Sequence, residues 1–133
     1  WFLKDGAVAP SLLRELNLPD DIIDGTRYLE PYGGNISGGE AKRLNVARLL
    51  IAPGSVNVLD EPTTGLNPSL TRQVWDVIFS RLADSTIICA THDLENLGRF
   101  DRVLLICGGK ILADKGPAEL MKDESYLQIR DKL

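Results

Sequence analysis

Val56-Asn57-Val58-Leu59-Asp60-Glu61-Pro62 is a short apolar run that ends in two adjacent carboxylates, and Ile36-Ser37-Gly38-Gly39-Glu40 stands twenty residues upstream of it. The first stretch has the length and composition of an interior strand, as in a parallel sheet covered on both faces. Two carboxylates at the end of a buried strand are costly unless a cation or strong donors compensate them. The second stretch is a glycine-opened turn leading into a helix. Backbone N–H groups at a helix start, unobstructed by side chains, make an anion site, and a serine hydroxyl adds a donor. Each stretch alone also has a plainer reading: the Asp-Glu pair caps a turn, and the glycines merely begin a helix.

Outward from these two stretches the pattern alternates strands with helices. Ala41, Leu44, Ala47, Arg48 and Ile51 recur at helical spacing, so a helix is expected from Gly39 to about Ile51, stopped by Pro53-Gly54. Asn67-Pro68 is a good helix opening, with asparagine as N-cap and proline at the first position, and Leu70, Val74, Val77, Ile78 and Leu82 form one apolar face behind it. Ser85–Ala90 reads as the next buried strand and Asp93–Arg99 as a short helical stretch. Arg102–Cys107 and Lys110–Ala113 read as a hairpin turned by Gly108-Gly109. Upstream, Pro10–Leu16 reads as a short helix broken by Leu18-Pro19-Asp20-Asp21, and Pro31–Asn35 as a loop; Pro117–Leu133 is a polar, helical tail. This is an α/β pattern with a mostly parallel sheet. Asp60, Glu61 and His92 all fall at or just past the carboxyl ends of strands, the edge where open parallel sheets bind ligands.

Composition narrows the classes. A formal net charge of −4 argues against a nucleic-acid binder held mainly by phosphate contacts. The longest apolar run, Val103–Cys107, is far too short to span a bilayer. Cys89 and Cys107 lie in apolar strand-like runs without CxxC spacing, which predicts two buried, reduced thiols and fits a cytosolic setting. Trp1 is not an initiator methionine, so a piece of a longer chain, or a processed one, is expected.

The order Ser37-Gly38-Gly39-Glu40, then Val58-Leu59-Asp60-Glu61-Pro62, then Thr64-Gly65-Leu66-Asn67, then Thr91-His92-Asp93-Leu94 resembles the second half of an ATP-binding-cassette (ABC) ATPase domain: signature loop, Walker B strand, D-loop and H-switch. The resemblance covers about residues 26 to 121. It implies a P-loop NTPase (RecA-like) fold, with residues 1–50 belonging to the helical subdomain and 51–133 to the core. It implies ATP and Mg²⁺ as the ligands. Asp60 then holds the Mg²⁺ site through water, and Glu61 polarises the attacking water as general base. His92, the only histidine, contacts the γ-phosphate. Ser37, Gly38, Gly39 and Glu40 close on the γ-phosphate of an ATP held by a second nucleotide-binding domain, so two domains sandwich two ATPs head to tail.

Departures from the family pattern are few. Ile36 and Glu40 stand where leucine and glutamine are usual, while Arg43 matches. Ala41 and Lys42 depart further from the common run, at positions expected to lie away from the phosphate contacts. Asn67 replaces the D-loop aspartate; it keeps a capping side chain but lacks the charge that communicates between the two ATP sites. Tyr28–Asn35 loosely resembles, through Glu30 and Gly33, the segment exporters place against their coupling helices. Asp101–Ile106 and Gly108–Leu120 follow the usual transporter ending, which implies transmembrane domains as partners and the cytoplasmic face of a membrane as location. No G-x-x-x-x-G-K-[ST] phosphate loop occurs in the 133 residues. Little ATPase activity is therefore expected of this stretch alone, together with exposed apolar sheet where upstream strands would pack. The rival readings are a soluble ABC ATPase of translation or DNA repair, and a non-catalytic regulatory half.

Overall fold

The computed structural model describes residues 8–27 and 35–129, which divide after Thr91 into two compact units. The first contains α1 (Val8–Glu15), α2 (Asp20–Ile23), α3 (Gly38–Ile51), β1 (Val56–Asp60), α4 (Pro68–Arg81) and β2 (Thr86–Ala90). The second contains a 3-10 helix (Leu94–Arg99), β3 (Val103–Cys107), β4 (Lys110–Lys115), α5 (Pro117–Leu120) and α6 (Glu124–Ile129). The expected loop at 31–34, the segment 28–34 and the last four residues of the tail lie outside the described residues.

Local chemistry sets the helix starts. Ser37 caps α3: its Oγ accepts from the Glu40 N–H at 3.2 Å, and the Glu40 carboxylate accepts from the Ser37 N–H at 2.8 Å. This reciprocal capping box satisfies two donors that the helix itself leaves unpaired. Asn67 caps α4 in the expected way, its Oδ1 accepting from the Leu70 N–H at 3.0 Å, with Pro68 at the first helical position.

In the first unit α1, α3 and α4 pack on one another around Leu12, Leu16, Val46, Ala47, Val74, Trp75, Ile78 and Leu82. The expected apolar face of α4 is buried at Val74, Val77, Ile78 and Leu82, joined by Trp75, which stacks at a tilt on Phe79. The expected helix is present as α3 over Gly38–Ile51, and tertiary contact sets its buried side. Arg43, Val46, Ala47 and Leu50 are buried, whereas Arg48 is exposed and Leu44 and Ile51 are only half-buried. Apolar residues surround this helix, so contact with α1 and α4 selects the buried side, not the spacing alone.

β1 and β2 pair in parallel, from Val56 opposite Thr86 to Asp60 opposite Ala90. Asn57 and Leu59 point inward, and Asn57 satisfies its amide on the Gly54 backbone. Val56, Val58 and Ile88 on the other face are 54–67% exposed, so among the described residues one face of the pair is covered and the other is not. Cover on both faces, as in an interior strand, is not found among the described residues; side chains alternate across a strand, and Val56, Val58 and Ile88 form the kind of exposed apolar sheet surface also expected. The second unit is the hairpin β3–β4 with α5 and α6, around Leu97, Leu105, Ala113, Leu120 and Tyr126. Gly108 and Gly109 turn the hairpin at φ 56° and 73°, values that favour glycine at both positions. Cys89 is half-buried and Cys107 exposed, both as free thiols, so the expectation of two buried thiols does not hold. No helix among the described residues is long and apolar enough to cross a membrane. The architecture is the mixed α/β fold expected.

Candidate functional site

The start of α3 is built as an open positive end. Gly38 and Gly39 occupy its first two positions, and no described atom lies within 4 Å of a Cβ placed on Gly38. A Cβ on Gly39 would meet Leu66 Cδ2 at 3.1 Å and the Arg43 guanidinium at 3.7 Å. Nothing among the described residues therefore demands glycine at 38, although glycine costs about 0.5–1 kcal/mol relative to alanine in a helix. Arg43 adds to the positive end. Its side chain is buried and runs back toward Gly39, and its Nε has no hydrogen-bond partner among the described residues. A buried guanidinium near a helix N-terminus is electrostatically unfavourable by itself and becomes favourable when an anion is present.

Glu40 is held as a carboxylate whose charge is taken up locally by a cap and a cation. The Ser37 N–H, and further the Arg27 guanidinium, hold its carboxyl below the usual carboxylate range despite partial burial. Arg27 bridges Glu40 at 3.0 Å and Asp21 at 2.9 Å, tying the start of α3 to α2. The substitution of glutamate for the usual glutamine is thus absorbed by a cap and a cation.

The carboxylates lie at the end of β1. Asp60 is the last strand residue and is exposed; Glu61 follows, half-buried. Glu61 has φ 46°, the left-handed region, which costs a non-glycine residue roughly 1–3 kcal/mol and persists only where neighbours enforce it. Its N–H donates to the Ala90 carbonyl at 2.9 Å, carrying the β1–β2 ladder one step past the strand end. Its carbonyl accepts from Lys42 Nζ at 2.9 Å, and its carboxylate accepts from the Thr64 hydroxyl at 2.8 Å. Behind it Pro62 and Thr63 are buried, and Asn67 starts α4. Among the described residues no group of three or more His, Cys, Asp or Glu is placed to hold a metal ion. The exposed Asp60 carboxylate with Glu61 beside it is compatible with Mg²⁺, which takes one or two carboxylates plus waters and phosphate oxygens rather than a full protein cage.

His92 opens the second unit two residues after the end of β2 and is exposed. Directly after it, the Asp93 carboxylate accepts from the buried Asn96 amide at 2.8 Å, which fixes the start of the 3-10 helix. Within the first unit Gly39 lies beside Leu66 of the D-loop, and Lys42, on the next turn of α3, reaches the Glu61 carbonyl. Sequence reasoning missed Lys42, Thr64 and Arg27 as supports of Glu61 and Glu40. The spacing S-x-x-E at Ser37 and Glu40 announces the capping box; nothing local announces the reach of Lys42.

No family model matches the chain. It is 36% identical to the energy-coupling factor transporter ATP-binding protein EcfA2 of Mycoplasmopsis pulmonis, over 94% of this chain and 40% of that protein. It is 30% identical to the glutathione/L-cysteine transport system ATP-binding/permease protein CydC of Escherichia coli, over 92% of this chain and 22% of the relative. The Nod factor export ATP-binding protein I of Neorhizobium galegae is 37% identical over 67% of this chain and 26% of its own length. The chain thus spans less than half of each of these relatives. In fold it resembles a bacterial Atm1-family ABC exporter solved with ATP bound, with a TM-score of 0.75 over 93% of this chain and 23% of that one, at 20% identity. Motif order, sequence identity over most of the chain and fold agree: the chain belongs to the ATP-binding proteins of ABC transporters and carries the C-terminal portion of such a domain.

Proposed function

We propose that this chain contributes to ATP binding and hydrolysis by an ABC transporter, on the cytoplasmic face of a membrane, with a second nucleotide-binding domain and transmembrane domains as partners. In this reading residues 1–50 form part of the helical subdomain and 51–133 part of the RecA-like core. Ser37, Gly38, Gly39 and Glu40 present backbone donors to the γ-phosphate of the partner domain's ATP. Asp60 holds Mg²⁺ together with water and phosphate oxygens, and this charge supplies electrostatic stabilisation to the phosphates when bound. Glu61 accepts the proton of the attacking water, His92 contacts the γ-phosphate, and Asn67 stands at the dimer-facing D-loop.

The observation that carries the reading is the Asp60-Glu61 corner. An exposed carboxylate and a neighbour held in a strained backbone by Ala90, Thr64 and Lys42 are features that folding alone does not require. The glycine at 38, free of any steric reason among the described residues, supports close approach by a ligand. The relatives named above carry transport or export in their names, which favours a transporter over a soluble ATPase. The chain by itself is expected to turn over little ATP, since no phosphate loop lies within it. The test is Glu61→Gln in the native assembly. ATP binding should persist while turnover falls by on the order of 10²-fold or more; turnover at the wild-type rate would remove Glu61 from the role of base.

A further inference from the structure

Lys42 sits on the second turn of α3, two residues past the capping-box Glu40, and is half-buried. Its ammonium donates to the Glu61 carbonyl across nineteen residues of sequence. An ammonium is strongly hydrated and seldom spends its charge on one half-buried carbonyl without a structural return. Here the return is plain. Glu61 is in the left-handed region, and contacts from several directions hold it: Ala90 accepts from its N–H, the Thr64 hydroxyl donates to its carboxylate, and its carbonyl accepts from Lys42 Nζ at 2.9 Å and from the Thr64 N–H at 3.4 Å. Ala90 and Thr64 belong to β2 and to the D-loop. Lys42 alone of the three comes from the helix that presents the 37–39 turn. The lever is short: Ser37–Gly39 and Lys42 are on adjacent turns of one capped, rigid element.

We propose that Lys42 is a positioning residue for Glu61, linking the helix that presents the signature turn to the backbone that aims the base. The inference rests on the reading of Glu61 as base. Movement of α3 when the signature turn engages an anion is transmitted through the Nζ–carbonyl contact to the peptide of Glu61, so the base is aimed only when α3 is in place. Lys42 touches no substrate and transfers no proton.

The experiment compares Lys42→Met, Lys42→Arg and Lys42→Gln in the native assembly by steady-state ATPase kinetics, with amide hydrogen exchange at Glu61 as a second readout. Lys42→Met should lower kcat about tenfold, the scale of one charge-assisted hydrogen bond, and leave KM for ATP within about twofold. Lys42→Arg, which keeps a cationic donor, should recover at least about half of the rate, and Lys42→Gln should fall between the two. Exchange at the Glu61 amide should speed up in Lys42→Met while the α4 amides stay protected. Wild-type kcat in Lys42→Met overturns the proposal, as does an equal loss in the methionine and arginine variants with unchanged Glu61 exchange. Full turnover in Glu61→Gln would instead defeat the base assignment. The Glu61 exchange rate would still report whether Lys42 holds this peptide.

Discussion

Replacing Gly38 with alanine separates what folding wants from what function wants. In the structure a Cβ at this position meets nothing within 4 Å, and the residue sits at the first helical position after the Ser37 cap. The folded chain therefore pays no steric penalty, while the unfolded chain loses the conformational freedom of glycine. A substitution of this kind gains about 0.4–1 kcal/mol where the new residue fits the native backbone. The lower half of that range is the better expectation at a helix start. For a chain of this size it corresponds to a rise in melting temperature of about 2–3 °C. Gly39→Ala is the internal control. Its Cβ would meet Leu66 Cδ2 at 3.1 Å, so the leucine end must yield a few tenths of an ångström and the gain is cancelled to within about 0.5 kcal/mol. Thermal and urea melts of the two variants measure this directly. ATP turnover of the Gly38→Ala assembly should move the other way, falling on the order of 10²-fold, the scale of losing one preorganised donor to a developing anion. A destabilised Gly38→Ala, or a stabilised one with full turnover, would refute the argument that this glycine exists for an incoming ligand.

Three further outcomes follow from other contacts. Asn67→Ala should cost about 1 kcal/mol through loss of the cap on the Leu70 N–H. Asn67→Asp should keep the cap and lose nothing in urea melts, so any change it makes in turnover reports the missing D-loop charge; equal destabilisation by both would contradict the capping geometry. Glu40 has a folded-state carboxyl below its ordinary value, set first by the Ser37 N–H and further by Arg27, against partial burial. Its contribution is therefore present above the ordinary glutamate value and lost as pH falls through the lower folded one. The stability advantage of wild type over Glu40→Gln should shrink between pH 7 and 3, and urea midpoints that differ by a constant amount across that range would rule this out. Trp75→Ala removes a fully buried ring stacked on Phe79 and should cost about 3–5 kcal/mol, read from denaturant unfolding; a loss under about 1 kcal/mol would place Trp75 outside the core.

What could be read in advance was local. Asn67-Pro68 specifies a helix start because the capping acceptor and the donor it serves are three residues apart. Gly108-Gly109 specifies a hairpin turn because positive φ is cheap for glycine. The resemblance to the ABC family rested on the spacing of short motifs, and the comparisons with known proteins support it. The capping box at Ser37 and Glu40 is equally local, since its two partners stand three residues apart.

Tertiary structure decided the rest. Apolar residues ring α3, so its spacing was compatible with more than one buried side, and only contact with α1 and α4 chose Arg43, Val46, Ala47 and Leu50. β1 carries apolar side chains on both faces, yet a strand cannot specify from its own residues which face will find a cover; Leu59 did, and Val58, at 67% exposure, did not. Lys42, at a position expected to lie away from the phosphate contacts, reaches the Glu61 carbonyl across nineteen residues of sequence. The sequence determined the caps, the turns and the motifs on which the proposed roles rest, since these depend on interactions spanning a few residues. Which groups meet across the chain, and so what holds Glu61 in its strained conformation, depends on packing between elements far apart in sequence, and only the tertiary structure could decide it.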